Sequence, residues 1–320
     1  MLNRGDSRMI ACLAANPSID KLFEVDRLIK GDIHRPLGLV ATAGGKGLNV
    51  ARAAHTLNGE ATAVSLLRGH AGKWLQEQLS AEGVPGVFVW SHGENRSSLS
   101  VADRESGGLT EFYEHGSVVP SAAWAELTHA CASVFPRARW LTISGSLPRG
   151  APDEGYRDLV VEARTAGLQV AVDCEGDRLR LALEAEPDIV KVNATEAREL
   201  LDVPTARHGE ALTAARKLRD LAGGDGHAAV VTRGAEGVVL AAPDGTLYEG
   251  MLYVRGRYPV GSGDAFLAGL VTGLDAGMGW DDALGRALGA ATANAEIPGA
   301  ARLDPARAAD LGSQAQVRIL

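Results

Sequence analysis

Over the second half of the chain, short apolar runs alternate with longer stretches whose apolar residues recur every three or four positions. Residues 140–144, 168–173, 188–193 and 228–232 read as buried strands, and residues 122–133, 152–167, 179–185 and 209–221 have the helical period. Residues 238–242 and 246–253 flank Asp244-Gly245, which predicts a hairpin. Helices rich in small residues follow Asp264 and fill 280–294, and a shorter one at 306–311 closes the fold. The first half is less regular. Residues 9–14 form a first buried strand, stopped at Asn16-Pro17, and a strand at 61–67 precedes a helix at 72–82. Residues 21–42 alternate loosely around Gly31-Asp32, which predicts two short strands of a small projecting sheet. Further strands at 87–90, 98–102 and 110–114 could join that sheet or the main one. Strand and helix alternation over this length predicts an α/β fold with an open, mostly parallel sheet and right-handed crossovers.

Polar residues gather where the predicted strands end: Asp20 after the first, Ser146 after 140–144, Asn193 and Thr232 on the next. Open parallel sheets bind ligands outside the carboxyl ends of their strands, so these residues belong to one cleft. Two glycine loops open helices. In Gly44-Gly45-Lys46-Gly47-Leu48-Asn49, Lys46 is a fixed cation, and Asn49, one turn into the helix, can face the same ligand. The spacing is neither a Walker loop nor a dinucleotide fingerprint, which sets aside a dinucleotide-dependent oxidoreductase. In Gly261-Ser262-Gly263-Asp264 the glycines permit close approach of the backbone, the helix start offers free amides to an anion, and Asp264 can take a proton from a hydroxyl. That combination suggests phosphoryl transfer to an alcohol. Plainer readings stand beside it: Asp264 as a helix N-cap, Asp20 as a turn residue, Arg96 as a solvated loop residue.

Composition narrows the setting. A chain of 320 residues fits one large α/β domain with an insertion. The formal charge of -8 offers no basic excess to neutralise a nucleic-acid backbone, so no nucleic-acid partner is expected. No apolar run reaches membrane-spanning length, and residues 1–15 lack the layout of a secretory leader. Cys12, Cys131 and Cys174 are scattered and apolar in context, as for reduced structural thiols in a cytoplasmic protein.

With these pieces in this order, the chain resembles the PfkB (ribokinase-like) carbohydrate kinase family over residues 10–302. The segment at 44–52 is similar to the family's first signature and that at 260–269 to its second; segments at 16–20, 144–150, 191–196 and 231–237 also match in order. The phosphosugar branch, 1-phosphofructokinases and tagatose-6-phosphate kinases, is most similar. The resemblance implies a ribokinase-like three-layer α/β/α fold with a mostly parallel central sheet. Residues 1–320 would form a single kinase domain, with a small β-sheet lid inserted from about 18–42 and 87–114.

The resemblance also implies roles. Asp20, Gly44, Gly45 and Asn49 would hold the sugar hydroxyls, while Lys46, Arg96 and Ser146 hold the phosphate already on the sugar, with help from Arg35. Lys191, Asn193, Thr232, Gly234 and Gly237 would serve ATP, and Glu196 its magnesium ion (Mg2+) through water. Gly261, Ser262 and Gly263 would form the anion hole, and Asp264 would be the base. The acceptor would be a ketohexose phosphate: fructose 1-phosphate first, tagatose 6-phosphate second, fructose 6-phosphate third. The lid would exclude water and form a homodimer contact. Other readings are a kinase of an unphosphorylated sugar or nucleoside, or a non-catalytic sugar-phosphate sensor, against which the retained Asp264 speaks. The chain departs from the family pattern at Val192, Ser262, Tyr258-Pro259 and Asp32.

Overall fold

The computed structural model describes residues 9–205 and 207–320. Residues 1–8, part of the stretch read above as no leader, and Ala206 lie outside the described residues. In chain order the strands are β1 (Met9–Ala14), β2 (Ser18–Val25), β3 (Gly38–Gly44), β4 (Ala61–Arg68), β5 (Gly86–Ser91), β6 (Arg96–Asp103), β7 (Leu109–Tyr113), β8 (Ala138–Ser144), β9 (Gln169–Asp173), β10 (Ile189–Asn193), β11 (Ala228–Thr232), β12 (Val238–Ala241), β13 (Leu247–Met251) and β14 (Gln316–Ile319). The helices are α1 (Lys46–Thr56), α2 (Gly69–Ala81), α3 (Ser121–Val134), α4 (Gly155–Thr165), α5 (Gly176–Leu183), α6 (Ala194–Leu201), α7 (His208–Leu221), α8 (Ser262–Asp275), α9 (Trp280–Glu296) and α10 (Pro305–Ser313).

A ten-stranded sheet runs β14-β13-β12-β11-β10-β9-β8-β1-β4-β5. From β5 to β11 every pairing is parallel, and β12, β13 and β14 extend the sheet antiparallel. The parallel strands are apolar on both sides because both faces are covered. In β1, Ala11 and Leu13 pack into one core with Trp124 of α3, Leu159 of α4 and Leu218 of α7. Ile10 and Cys12 face the other core, with Leu48 of α1, Phe266 of α8 and Leu284 of α9. The three cysteines are buried and free. The chain leaves β1 toward β4 on one side and returns to β8 on the other, so the strand order reverses there and opens a crevice at the carboxyl ends.

A second sheet, of four strands in the order β3-β2-β6-β7, stands over that edge. The predicted pair at 21–42 is present as β2 and β3, and 98–102 and 110–114 are its other two strands. The expected insertion at 87–114 needs correction: β5 pairs parallel with β4 at the margin of the large sheet, so the second segment of the small sheet starts at Arg96. Val87 and Val89 pack on one core and Phe88 on the other. A short strand covered on both faces carries no pattern that names its partner. The sequence reading also stopped short of β14, whose Gln-Val-Arg-Ile lies mostly exposed on the sheet margin and lacks a buried run.

Candidate active site

Between the carboxyl edge of the large sheet and the inner face of the small one lies a cleft of about 820 Å³, the size of a small-molecule site. The residues expected at the site line it, except Gly44, which lies behind Asp20, and Arg35.

Asp264 sits in the first turn of α8, buried, on the cleft floor. Gly261 caps the helix at φ 81, and a Cβ there would strike the backbone of Ala300 and Ala301, so the turn requires glycine. The Ser262 amide bonds Pro259 O at 3.1 Å and the Ala265 amide bonds Gly261 O at 2.9 Å. The Gly263 and Asp264 amides lie before the first full helical bond, where an anion is favoured. Ser262 finds a use for its hydroxyl, which accepts from Asn294 Nδ2 at 2.9 Å, while the same amide bonds Val260 O at 3.0 Å. Asn49 Nδ2 donates to Asp264 Oδ2 at 2.8 Å. Burial pushes the Asp264 carboxyl up to about 7; Asp173 adds to this, and Lys191, Lys46 and the Asn49 amide oppose it. A carboxylate poised there suits general base work near neutrality.

Lys46 is engaged by two carboxylates in the cleft. Its Nζ lies 2.8 Å from Asp173 Oδ1 and 3.4 Å from Glu196 Oε1, and Lys191 Nζ holds the other Asp173 oxygen. Burial works to lower the Lys46 pKa, but Asp173, Glu196 and Asp264 outweigh it, so the ammonium is firmly charged. Burial likewise works to raise Asp173, and the two lysines hold it below the usual carboxylate range. Asp173 escaped the sequence reading, yet it ends β9 at the edge shared by Asn193 and Thr232, and that position is the signal that could have found it.

At one end of the cleft, Asp20 lies within β2 of the small sheet rather than in a turn, in one row with Thr42 and Ser98. Its Oδ2 accepts from the Gly45 amide at 3.1 Å and its Oδ1 from Ser18 Oγ. Burial raises its pKa against those bonds and the charges of Arg96 and Arg52. A Cβ on Gly44 would overlap the Asp20 carboxylate. Ser146 Oγ accepts from Asn16 Nδ2 at 3.0 Å. Arg96 donates to Asn16 O and Glu114 O, and among the described residues no carboxylate forms an ion pair with it. Glu111 and Tyr113 of β7, unforeseen from the sequence, complete this wall, joined by a 2.6 Å bond. Arg35 is exposed and outside the cleft lining.

At the other end, Asn193 and Glu196 form a capping box on α6. It engages Asn193 Oδ1 and Glu196 Oε2, which leaves Asn193 Nδ2 for a ligand, while Glu196 Oε1 faces Lys46 Nζ at 3.4 Å. Val192 needs no proline, since it is a ladder residue opposite Val231. Thr232 Oγ1 bonds Val192 O at 3.3 Å, and Gly234 and Gly237 bracket the turn that follows. Leu252, Val254, Leu288 and Ala291 add an apolar wall on this side. Among the described residues no group of three or more metal-binding side chains occurs. Glu196, a single carboxylate on the cleft lining beside Asn193, has the chemistry for an ion held by one carboxylate, phosphate oxygens and water, which is how magnesium is commonly bound beside nucleotides.

A family model described as pfkB family carbohydrate kinase matches residues 9–307. Among solved structures the chain is similar to phosphofructokinase-2 from Escherichia coli in complex with substrates and products: 24% identity, TM-score 0.86, covering 96% of this chain and 98% of that one. It is also similar to a possible 1-phosphofructokinase from Thermotoga maritima, at 21% identity and TM-score 0.88 over 98% of this chain and 99% of that one. Ribokinase from Arabidopsis thaliana complexed with ribose and ATP matches at 19% identity and TM-score 0.74 over 96% and 98%. At these identities the likeness concerns the fold, which is ribokinase-like as expected.

Proposed function

The chain belongs to the pfkB family of carbohydrate kinases, and from that premise we propose that it transfers the γ-phosphoryl group of ATP to a primary hydroxyl of a ketohexose phosphate. Fructose 1-phosphate is the first choice, then tagatose 6-phosphate and fructose 6-phosphate. The observation that carries the phosphosugar reading is Arg96, a cation on the cleft wall beside Ser146 with no carboxylate paired to it among the described residues. A phosphate on the sugar would supply the missing charge.

In this reading Asp20, held by the Gly45 amide, and Asn49 orient the sugar hydroxyls, and Arg96 and Ser146 take its phosphate. Asn193, Lys191, Thr232 and the glycines of the following turn position the nucleotide. Asp264 removes the proton from the attacking hydroxyl. The Gly263 and Asp264 amides receive the charge developing on the transferred group, and Lys46, held by Asp173 and Glu196, adds a cation beside them. A magnesium ion held through Glu196 would neutralise phosphate charge when bound. The small sheet would act as a lid that keeps water from the phosphoryl group. Its outer face carries Leu39 and Phe112, 61% and 59% exposed, and a second copy of the chain is the proposed cover.

A kinase of an unphosphorylated sugar or nucleoside is the second reading, favoured by Lys46 already having two carboxylate partners. Steady-state assays of an Arg96→Met variant separate the two. The phosphosugar reading expects its KM for the sugar phosphate to rise at least ~10-fold with kcat little changed; an unchanged KM counts against it.

A further inference from the structure

Arg52 lies one turn beyond Asn49 on α1 and is buried. Its guanidinium reaches four acceptors from four parts of the fold. Nε donates to Glu82 Oε2 at 2.7 Å, just past α2. Nη1 donates to Asn49 Oδ1 at 3.2 Å and lies 3.5 Å from Ala300 O, and Nη2 donates to Ala43 O. Ala43 belongs to β3 at the root of the small sheet, and Ala300 belongs to the segment against which Gly261 rests.

The contact with Asn49 decides which way its amide faces. An asparagine amide has an acceptor oxygen at one tip and a donor nitrogen at the other, whereas a guanidinium only donates. With the oxygen committed to Arg52, the nitrogen faces Asp264 Oδ2 at 2.8 Å. The flipped amide would set oxygen against carboxylate and NH2 against guanidinium, two repulsive contacts. We propose that Arg52 is a positioning residue for phosphoryl transfer: it locks Asn49 as a donor and so holds the Asp264 carboxylate in one orientation. Through Ala43 and Ala300 the same side chain ties that orientation to the root of the small sheet and to the support of the anion hole.

The inference rests on the kinase reading, and a double-mutant cycle tests it. Arg52→Lys keeps the charge and can still meet Glu82, but one ammonium cannot also serve Asn49 and Ala43. Its kcat is expected to fall about tenfold, with KM for sugar and ATP changed less than about twofold. In an Asn49→Ala background the same substitution should cost less than about twofold, because the route is already cut. A full tenfold cost in both backgrounds would overturn the proposal. Glu82→Gln, which keeps Arg52 but loosens it, should repeat the pattern at smaller amplitude should Arg52→Lys fail to fold.

A readout without turnover separates this inference from the kinase reading. The Asp264 carboxyl, followed by ¹³C NMR in the free protein, should titrate higher in Arg52→Lys and in Asn49→Ala, with no further rise in the double variant. The charged groups facing it, Asp173 and Lys191 from the strand ends and Lys46 from α1, are the same in all these proteins. An unmoved titration in Arg52→Lys sinks the relay whatever the acceptor; absence of turnover with every sugar sinks the kinase reading and leaves the titration to answer for Arg52.

Discussion

At the scale of single residues, Asp264 stands in the first turn of α8 as a buried carboxylate raised to about 7 on the floor of the cleft. The reading of it as a helix N-cap needs correction, because Gly261 caps α8 and among the described residues no side chain bonds the free amides. Asp264→Asn is expected to lower kcat at least ~10²-fold, as for positioned acid-base groups, in a coupled ADP assay. Since the base must be ionised, kcat/KM should climb as pH rises through about 7 and not near 4. Stability has the opposite sign. The folded pKa lies above the unfolded one, so Asp264 contributes fully below about pH 4, and that contribution is lost as pH rises through about 7. Asp264→Asn removes the loss: thermal melts should show it more stable than the parent at about pH 8 and equal to it at about pH 4. Asp173 works differently, as the shared counter-charge of Lys46 and Lys191. Asp173→Asn should cost about 3 kcal/mol in urea unfolding, because two enclosed ammonium groups lose their partner.

At the scale of elements, what the sequence made legible follows from how much each segment buries. The strands at the carboxyl ends of which ligands gather were readable because β1, β8, β9, β10 and β11 are apolar runs ended by polar residues. β5 was readable as a strand but not as to its sheet, and β14 exposes too much to leave a pattern. Asn49 and Asp264 were legible because each is a polar residue beside glycines that open a helix, and Asp20 because it follows the end of β1. Asp173 was hidden because its partners come from α1 and β10, brought together only by the fold. The same holds for Glu111 and Tyr113, whose place on the cleft wall depends on the register of β7 with β6. The close packing of β3 on β2 offers a test: Gly44→Ala should displace the Asp20 carboxylate and raise the sugar KM about tenfold, with secondary structure by circular dichroism unchanged.

At the scale of the whole molecule, two sheets bound one cleft, with Asp264 between a wall that carries Asp20 and Arg96 and a wall that carries Asn193 and Thr232. Among the described residues no helix is long and apolar enough to cross a membrane. If the outer face of the small sheet joins two copies, Leu39→Glu with Phe112→Lys should convert a dimer to monomer in sedimentation equilibrium, because both side chains then meet water as charges. The most direct measurement is ADP release with ATP and magnesium over a panel of sugars: fructose 1-phosphate, tagatose 6-phosphate, fructose 6-phosphate, free fructose, ribose and a nucleoside. Turnover is expected with the ketohexose phosphates, highest with fructose 1-phosphate. Turnover of ribose or the nucleoside with none of the phosphosugars would contradict the assignment.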